Sequence, residues 1–125
     1  MSVPVPVEQL QEATAEYGSA AFLLTAGSDG RPKVASVEVE FDGGEITLAV
    51  GSGSAANAAA HRLVTLFWPP HTAGGYSLIV DAEAAVDGTT VRLVPTRGVL
   101  HRPAHAGQPS GRDGCAADCA PLFQP

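Results

Sequence analysis

The stretch from Ala20 to Val50, "AAFLLTAGSDGRPKVASVEVEFDGGEITLAV", most constrains what this chain can fold into. Its apolar residues recur every second position, and small turn-forming residues interrupt them at short intervals. Side chains alternate across a strand, so this rhythm predicts antiparallel hairpins with one buried face. Ser28-Asp29-Gly30 marks the first turn and Asp42-Gly43-Gly44 the second. Between them, Ala35, Val37, Val39 and Phe41 share one face. Val34, Ser36, Glu38 and Glu40 share the other, which predicts a core side and a partly wet side.

The rhythm resumes further on. "LVTLFW", residues 63–68, is apolar on both faces, which predicts a strand covered on each side. "PPHTAGG" reads as a loop. "YSLIVDAEAAV" alternates again, and Asp87-Gly88 turns the chain into "TVRLVPTRGVL", where Pro95 predicts an edge or a bulge. Two segments have a helical period instead. Residues 7–17, "VEQLQEATAEY", place Val7, Leu10, Thr14 and Tyr17 on one face. "GSGSAANAAAHRL" opens a second helix after a Gly/Ser loop, with Ser54 as its expected N-cap.

The sum is a mainly β fold with some α, a six-stranded antiparallel split β-barrel. One helix precedes the strands and one lies between strands 3 and 4. A parallel α/β sheet would need a helix after most strands. At 125 residues the chain is long enough for a core without staples. The expected division is a domain over residues 1–100 and an irregular Pro/Gly-rich tail over 101–125.

Charge and composition remove several function classes. The formal charge is -6 with only seven Lys and Arg, scattered along the chain. Nucleic acid and polybasic membrane contacts both need such residues clustered. No apolar run approaches the length of a spanning helix, and no signal peptide is evident, so a cytoplasmic protein is expected. "GSGS" lacks the dinucleotide-binding GxGxxG spacing and follows an antiparallel strand. No Ser/His/Asp order or P-loop is present, and no residue stands out as a general acid or base. Glu38 and Glu40 read either as a solvated face or as an acidic pocket wall.

The tail carries His101, His105, Cys115 and Cys119, chemically good ligands for zinc or haem iron. Their spacing is looser than a zinc knuckle, so a plain tail, a thiol pair and a metal site all remain open. Leu122 and Phe123 are its candidate anchors. His61 and His71 read as exposed strand-end residues, and Arg92 and Arg97 as outward charges.

The order of helix, "DGRP" hairpin, "DGG" hairpin, strand ending in a Gly/Ser loop, helix and apolar strand resembles the pyridoxamine 5′-phosphate oxidase-like, FMN-binding split-barrel family. The resemblance covers roughly residues 7–100. It implies a homodimer with a flavin ring at the subunit interface, and a cofactor that is FMN or, less favoured, the deazaflavin F420. By position, Ala35, Ser36 and Val37 would line the ring, and Gly51, Ser52, Ser54 and Asn57 would surround the phosphate. Trp68 and the Pro69-Pro70 corner would lie near the pocket or the dimer contact. Relatives commonly place a Lys or Arg just after the loop serine, where this chain has Ala55 and Ala56. Lys33, Arg62 or a partner's residue are then the candidate cations. The implied activity is a flavin-dependent oxidation or reduction of a small molecule. The alternative is a non-catalytic ligand-binding protein on the same scaffold.

Overall fold

The structure, a computed structural model, describes residues 2–103. Eight strands and two α-helices follow one another: β1 (Ser2–Val5), a 3-10 turn (Val7–Gln9), α1 (Leu10–Tyr17), β2 (Ala20–Ala26), β3 (Pro32–Glu38), β4 (Glu40–Asp42), β5 (Glu45–Ala49), α2 (Ser52–Ala60), β6 (Leu63–Trp68), β7 (Ser77–Asp87) and β8 (Thr90–His101). Seven strands pair antiparallel in the order β3-β2-β6-β7-β8-β5-β4, and β1 adds to β8. The β-rich, antiparallel class matches the sequence reading, but the strand count of six does not.

Two differences explain the count. "SVPV" has no alternation to announce a strand; it becomes one because it lies along β8, with Val5 opposite Gly98. The expected second strand breaks at Val39 into β3 and β4. Val39 is buried and its N–H bonds back to the Ser19 carbonyl at 2.8 Å. Beyond that bend the chain leaves β2 and pairs with β5 instead. One bent strand thus supplies both ends of the strand order, which curls the sheet into a barrel open between β3 and β5.

The hairpin turns fall where the sequence put them. Gly43 and Gly44 both have positive φ, 62° and 91°, as a tight hairpin joining β4 to β5 requires. Pro95 sits at a bulge: β7 pairs Asp81 with Arg97 but Ala82 with Pro95, leaving Thr96 as an additional residue. That residue shifts the inward set of β8 from Val91, Leu93 and Pro95 to Gly98 and Leu100.

Inward residues build one core. Leu23, Ile46, Leu66, Leu78, Val80 and Leu93 are all 1% exposed or less, and Leu10 joins them from α1. The expected face of the first helix holds at Leu10 and Thr14, which are buried; Tyr17 is half-buried, and Val7 lies outside in the 3-10 turn, 41% exposed. The Tyr17 hydroxyl donates to the Tyr76 carbonyl at 2.8 Å, tying the end of α1 to the loop before β7. Burial first, and the neighbouring Glu16 carboxylate second, push the Tyr17 phenol above its usual range.

The expectation for β6 is half wrong. Val64, Leu66 and Trp68 face the core, but Leu63 is 75% exposed and Thr65 and Phe67 are half-buried. The second face of β6 has no covering layer within the described chain. It forms an outward apolar groove with Phe22, Leu24, Val34 and Ile79.

Candidate functional site

The Gly/Ser loop leads into α2, but the helix begins earlier than expected. Gly51 is the N-cap, in extended conformation and without a side-chain cap bond, and Ser52 is the first helical residue. Ser54 is therefore inside the first turn and 2% exposed, packed inward rather than capping. The first intrahelical bond at this end runs from the Ala55 N–H to the Gly51 carbonyl at 3.0 Å. The preceding N–H groups of Ser52, Gly53 and Ser54 then have no acceptor within the helix.

Over this end lies the side chain of Lys33, from β3. A Cβ added at Gly53 would sit 2.9 Å from Lys33 Nζ. Glycine at 53 is what lets the ammonium approach the helix start so closely. No carboxylate among the described residues forms an ion pair with Lys33. Arg62, the other candidate cation in this chain, follows the far end of α2. At about 1.5 Å per residue that is roughly 15 Å from the helix start. The positive charge that Ala55 and Ala56 do not provide comes to this end from a strand instead.

Asn57 points elsewhere. Its side-chain amide donates to Thr25 Oγ1 at 3.2 Å, fastening α2 to β2. Trp68 does not reach a pocket either: it is 1% exposed, and its indole N–H donates to the Gly18 carbonyl at 2.9 Å. The sequence-based set therefore separates. Gly51 and Ser52 are exposed at the helix start beside Lys33, whereas Ser54 is buried, Asn57 fastens the helix and Trp68 fills the core.

Beside the opening of the barrel lies a cleft of ≈ 510 Å³. Ser36, Val37 and Glu38 of β3 line it, opposite Ala20, Ala21 and Phe22 of β2, with Ala49 and Pro69 at its rim. Ala35, between Lys33 and Val37 on the other face of β3, is half-buried and lies outside this lining. Glu38 accepts a hydrogen bond from Ser19 Oγ at 2.7 Å. A second cleft, of ≈ 420 Å³, adjoins the first and shares Glu38 and Ala49 with it. Phe22 connects the first cleft to the outward apolar groove.

Among the described residues, no group of His, Cys, Asp and Glu is arranged to hold a metal. His101 is paired with Ser2 Oγ at 3.2 Å. His105, Cys115, Cys119, Leu122 and Phe123 lie outside the described residues. His61 and His71 are exposed as expected, though the His71 ring lies 5.2 Å from that of Tyr17. Arg92 and Arg97 are outward and paired with Glu45 and Asp81, respectively. No helix among the described residues is long and apolar enough to cross a membrane.

Two uncharacterized proteins, one from Mycobacterium bovis and one from Mycobacterium tuberculosis, are each 35% identical to this chain over 138 aligned positions. Each alignment covers 97% of this chain and 96% of the relative. The chain belongs to their family. No protein-family model matches the sequence. Among solved structures, a putative pyridoxamine 5′-phosphate oxidase from Listeria innocua superposes with a TM-score of 0.62 at 12% identity, covering 76% of this chain and 98% of that one. An FAD-binding protein from Mycobacterium smegmatis gives 0.57 at 16% identity, covering 82% and 100%. An F420 reductase gives 0.56 at 15% identity, covering 70% and 94%. The fold is that of the pyridoxamine 5′-phosphate oxidase-like split barrels. This chain carries a cleft beside β3 and an exposed cation at the start of α2.

Lys33 and Glu38 are the residues that motif reading underrated. Lys33 stands only as one candidate cation among three, because its approach to Gly53 depends on how β3 packs beside α2. Glu38 is legible as outward-facing from its parity, yet parity cannot say that a cleft lies there.

Proposed function

We propose that this chain binds a flavin-type cofactor, FMN in preference to F420, and acts as a flavin-dependent oxidoreductase on a small molecule, as a homodimer. The observation that carries the reading is the Lys33 ammonium over Gly53 at the start of α2. A flavin mononucleotide ends in a dianionic phosphate, and charge-assisted hydrogen bonds are about twice as strong as neutral ones. Lys33 would supply the charge, the exposed Ser52 hydroxyl a neutral donor, and the free N–H groups of α2 about half a positive charge. This donor set fits a phosphate.

The ring would lie along β3 at Ser36 and Val37. As the terminal strand of the sheet, β3 turns half its backbone N–H and C=O groups away from β2. Those groups suit the amide-like edge of a flavin. Lys33 and Ser36 stand three positions apart along β3, or about 10 Å, a distance of the order an extended ribityl chain spans. The bound flavin would supply hydride or electron transfer. The protein's own part is to hold the phosphate, orient the ring against β3, and exclude water with Ala20, Phe22, Val37 and Pro69.

The outward groove supports the dimer. Val34 is 59% exposed within it, and Phe22 lines both groove and cleft. A second copy seated there would cover apolar surface and wall the cleft in one contact. The similarity in fold to an FAD-binding protein and an F420 reductase supports the cofactor class. Glu38 at the cleft disfavours the acidic tail of F420, hence the preference for FMN.

The test is the visible absorption spectrum of the purified protein, as isolated and after incubation with FMN or F420 and gel filtration. The expected result is a flavin band that co-elutes with protein, stronger for FMN. A colourless protein whose addition shifts neither cofactor's spectrum overturns the reading and leaves the non-catalytic alternative.

A further inference from the structure

The cleft proposed to hold the flavin ring carries one charged side chain, Glu38, amid Ala20, Ala21, Phe22, Val37 and Pro69. Its carboxylate does not swing freely, because Ser19 Oγ donates to it at 2.7 Å. It also stands where the two clefts meet, and the second brings Glu40 together with the hydroxyls of Ser19, Thr47 and Thr90. Among the described residues, no Lys or Arg lines either cleft. Lys33 and Glu38 therefore divide the site by charge, the cation at the helix start and the anion beside the space left for a second molecule.

From this division we infer a substrate class, resting on the flavin reading above: the molecule that meets the flavin is a cationic, amine-bearing small molecule. An anionic one, phosphorylated or carboxylated, would bring its charge against Glu38 with no counter-charge on the cleft wall. A protonated amine would find a carboxylate already held in place and apolar walls for its carbon skeleton. The selection works by attraction of one sign and repulsion of the other.

The probes are benzylammonium and benzoate, which share a ring and differ in charge, titrated calorimetrically into FMN-loaded and FMN-free protein. Glu38→Gln removes the charge while its amide oxygen still accepts the Ser19 hydroxyl. The wild type is expected to bind benzylammonium about fivefold more tightly than benzoate, an exposed-pair magnitude. Glu38→Gln is expected to abolish that preference, bringing the two probes to within about twofold of each other. The control Glu8→Gln, in the exposed 3-10 turn, is expected to keep the preference. Equal affinity for both probes, no binding of benzylammonium, or a preference that survives in Glu38→Gln each overturns the inference. A wild type that takes up no FMN yet prefers benzylammonium through Glu38 overturns the flavin reading and upholds the charge selection of the cleft.

Discussion

Replacing Lys33 by Ala removes the cation that lies over the start of α2 and leaves Ser52 and the helix N–H groups as neutral donors. A charge-assisted hydrogen bond contributes about 1.5–3 kcal/mol. Because Lys33 is exposed, the lower end applies, and FMN affinity is expected to fall roughly tenfold by fluorescence titration. Lys33→Arg should retain most of it. Gly53→Ala separates proximity from charge: its Cβ would meet the flexible end of Lys33 at 2.9 Å, displacing the ammonium without disturbing backbone. The expected outcome is weaker FMN binding at an unchanged melting temperature. Trp68→Phe should do the opposite. Losing its bond to Gly18 and some core volume should destabilise the fold by about 1–3 kcal/mol, with FMN affinity unaltered. Single-residue roles were the least legible part of the sequence. Nineteen residues separate Lys33 from Gly53, and no spacing rule connects them. Trp68 was legible in principle, since Val64, Leu66 and Trp68 share a parity, but the apolar residues between them masked it.

At the scale of elements, the contact between α1 and β8 turns on Gly98. An added Cβ there would lie 2.5 Å from Leu10 Cδ2 and 3.3 Å from the Val5 carbonyl oxygen. Leu10 is fully buried and cannot yield without opening the core. Gly98→Ala is expected to cost about 1–3 kcal/mol, read as a lower denaturant midpoint with unchanged slope. Most elements were legible because they are local: the turns at Asp29-Gly30, Gly43-Gly44 and Asp87-Gly88 carry their own chemistry, as does the period of α1. What escaped was non-local. β1 exists only by pairing with residues 98–101 of β8. The bend at Val39 leaves the alternation of Val37, Val39 and Phe41 intact, so the sequence reads one strand where the fold uses two.

For the whole molecule, the outward groove of β2, β3, β6 and β7 sets the expected assembly. Placing a charge at its centre, Phe67→Glu, is expected to convert a dimer into a monomer by sedimentation equilibrium. Far-ultraviolet circular dichroism should be retained, and FMN affinity should fall with the dimer if a second copy walls the cleft. A wild type that sediments with the mass of one chain at micromolar concentration removes that arrangement. Here the sequence supplies the apolar run of β6 but not its exposure, because a strand apolar at both parities reads alike whether its own fold covers the second face or leaves it open.

The partners of β8 have a further consequence. Its first residues pair with β5, its last with β1, and its full length with β7. During synthesis on a ribosome the early hairpins can form as they emerge, but β1 and the second edge of β5 must wait for a segment translated long after them. Completion of the barrel is therefore a late, nearly all-at-once event, and a nascent chain stalled before Thr90 would expose the core that α1 and β5 are meant to seal.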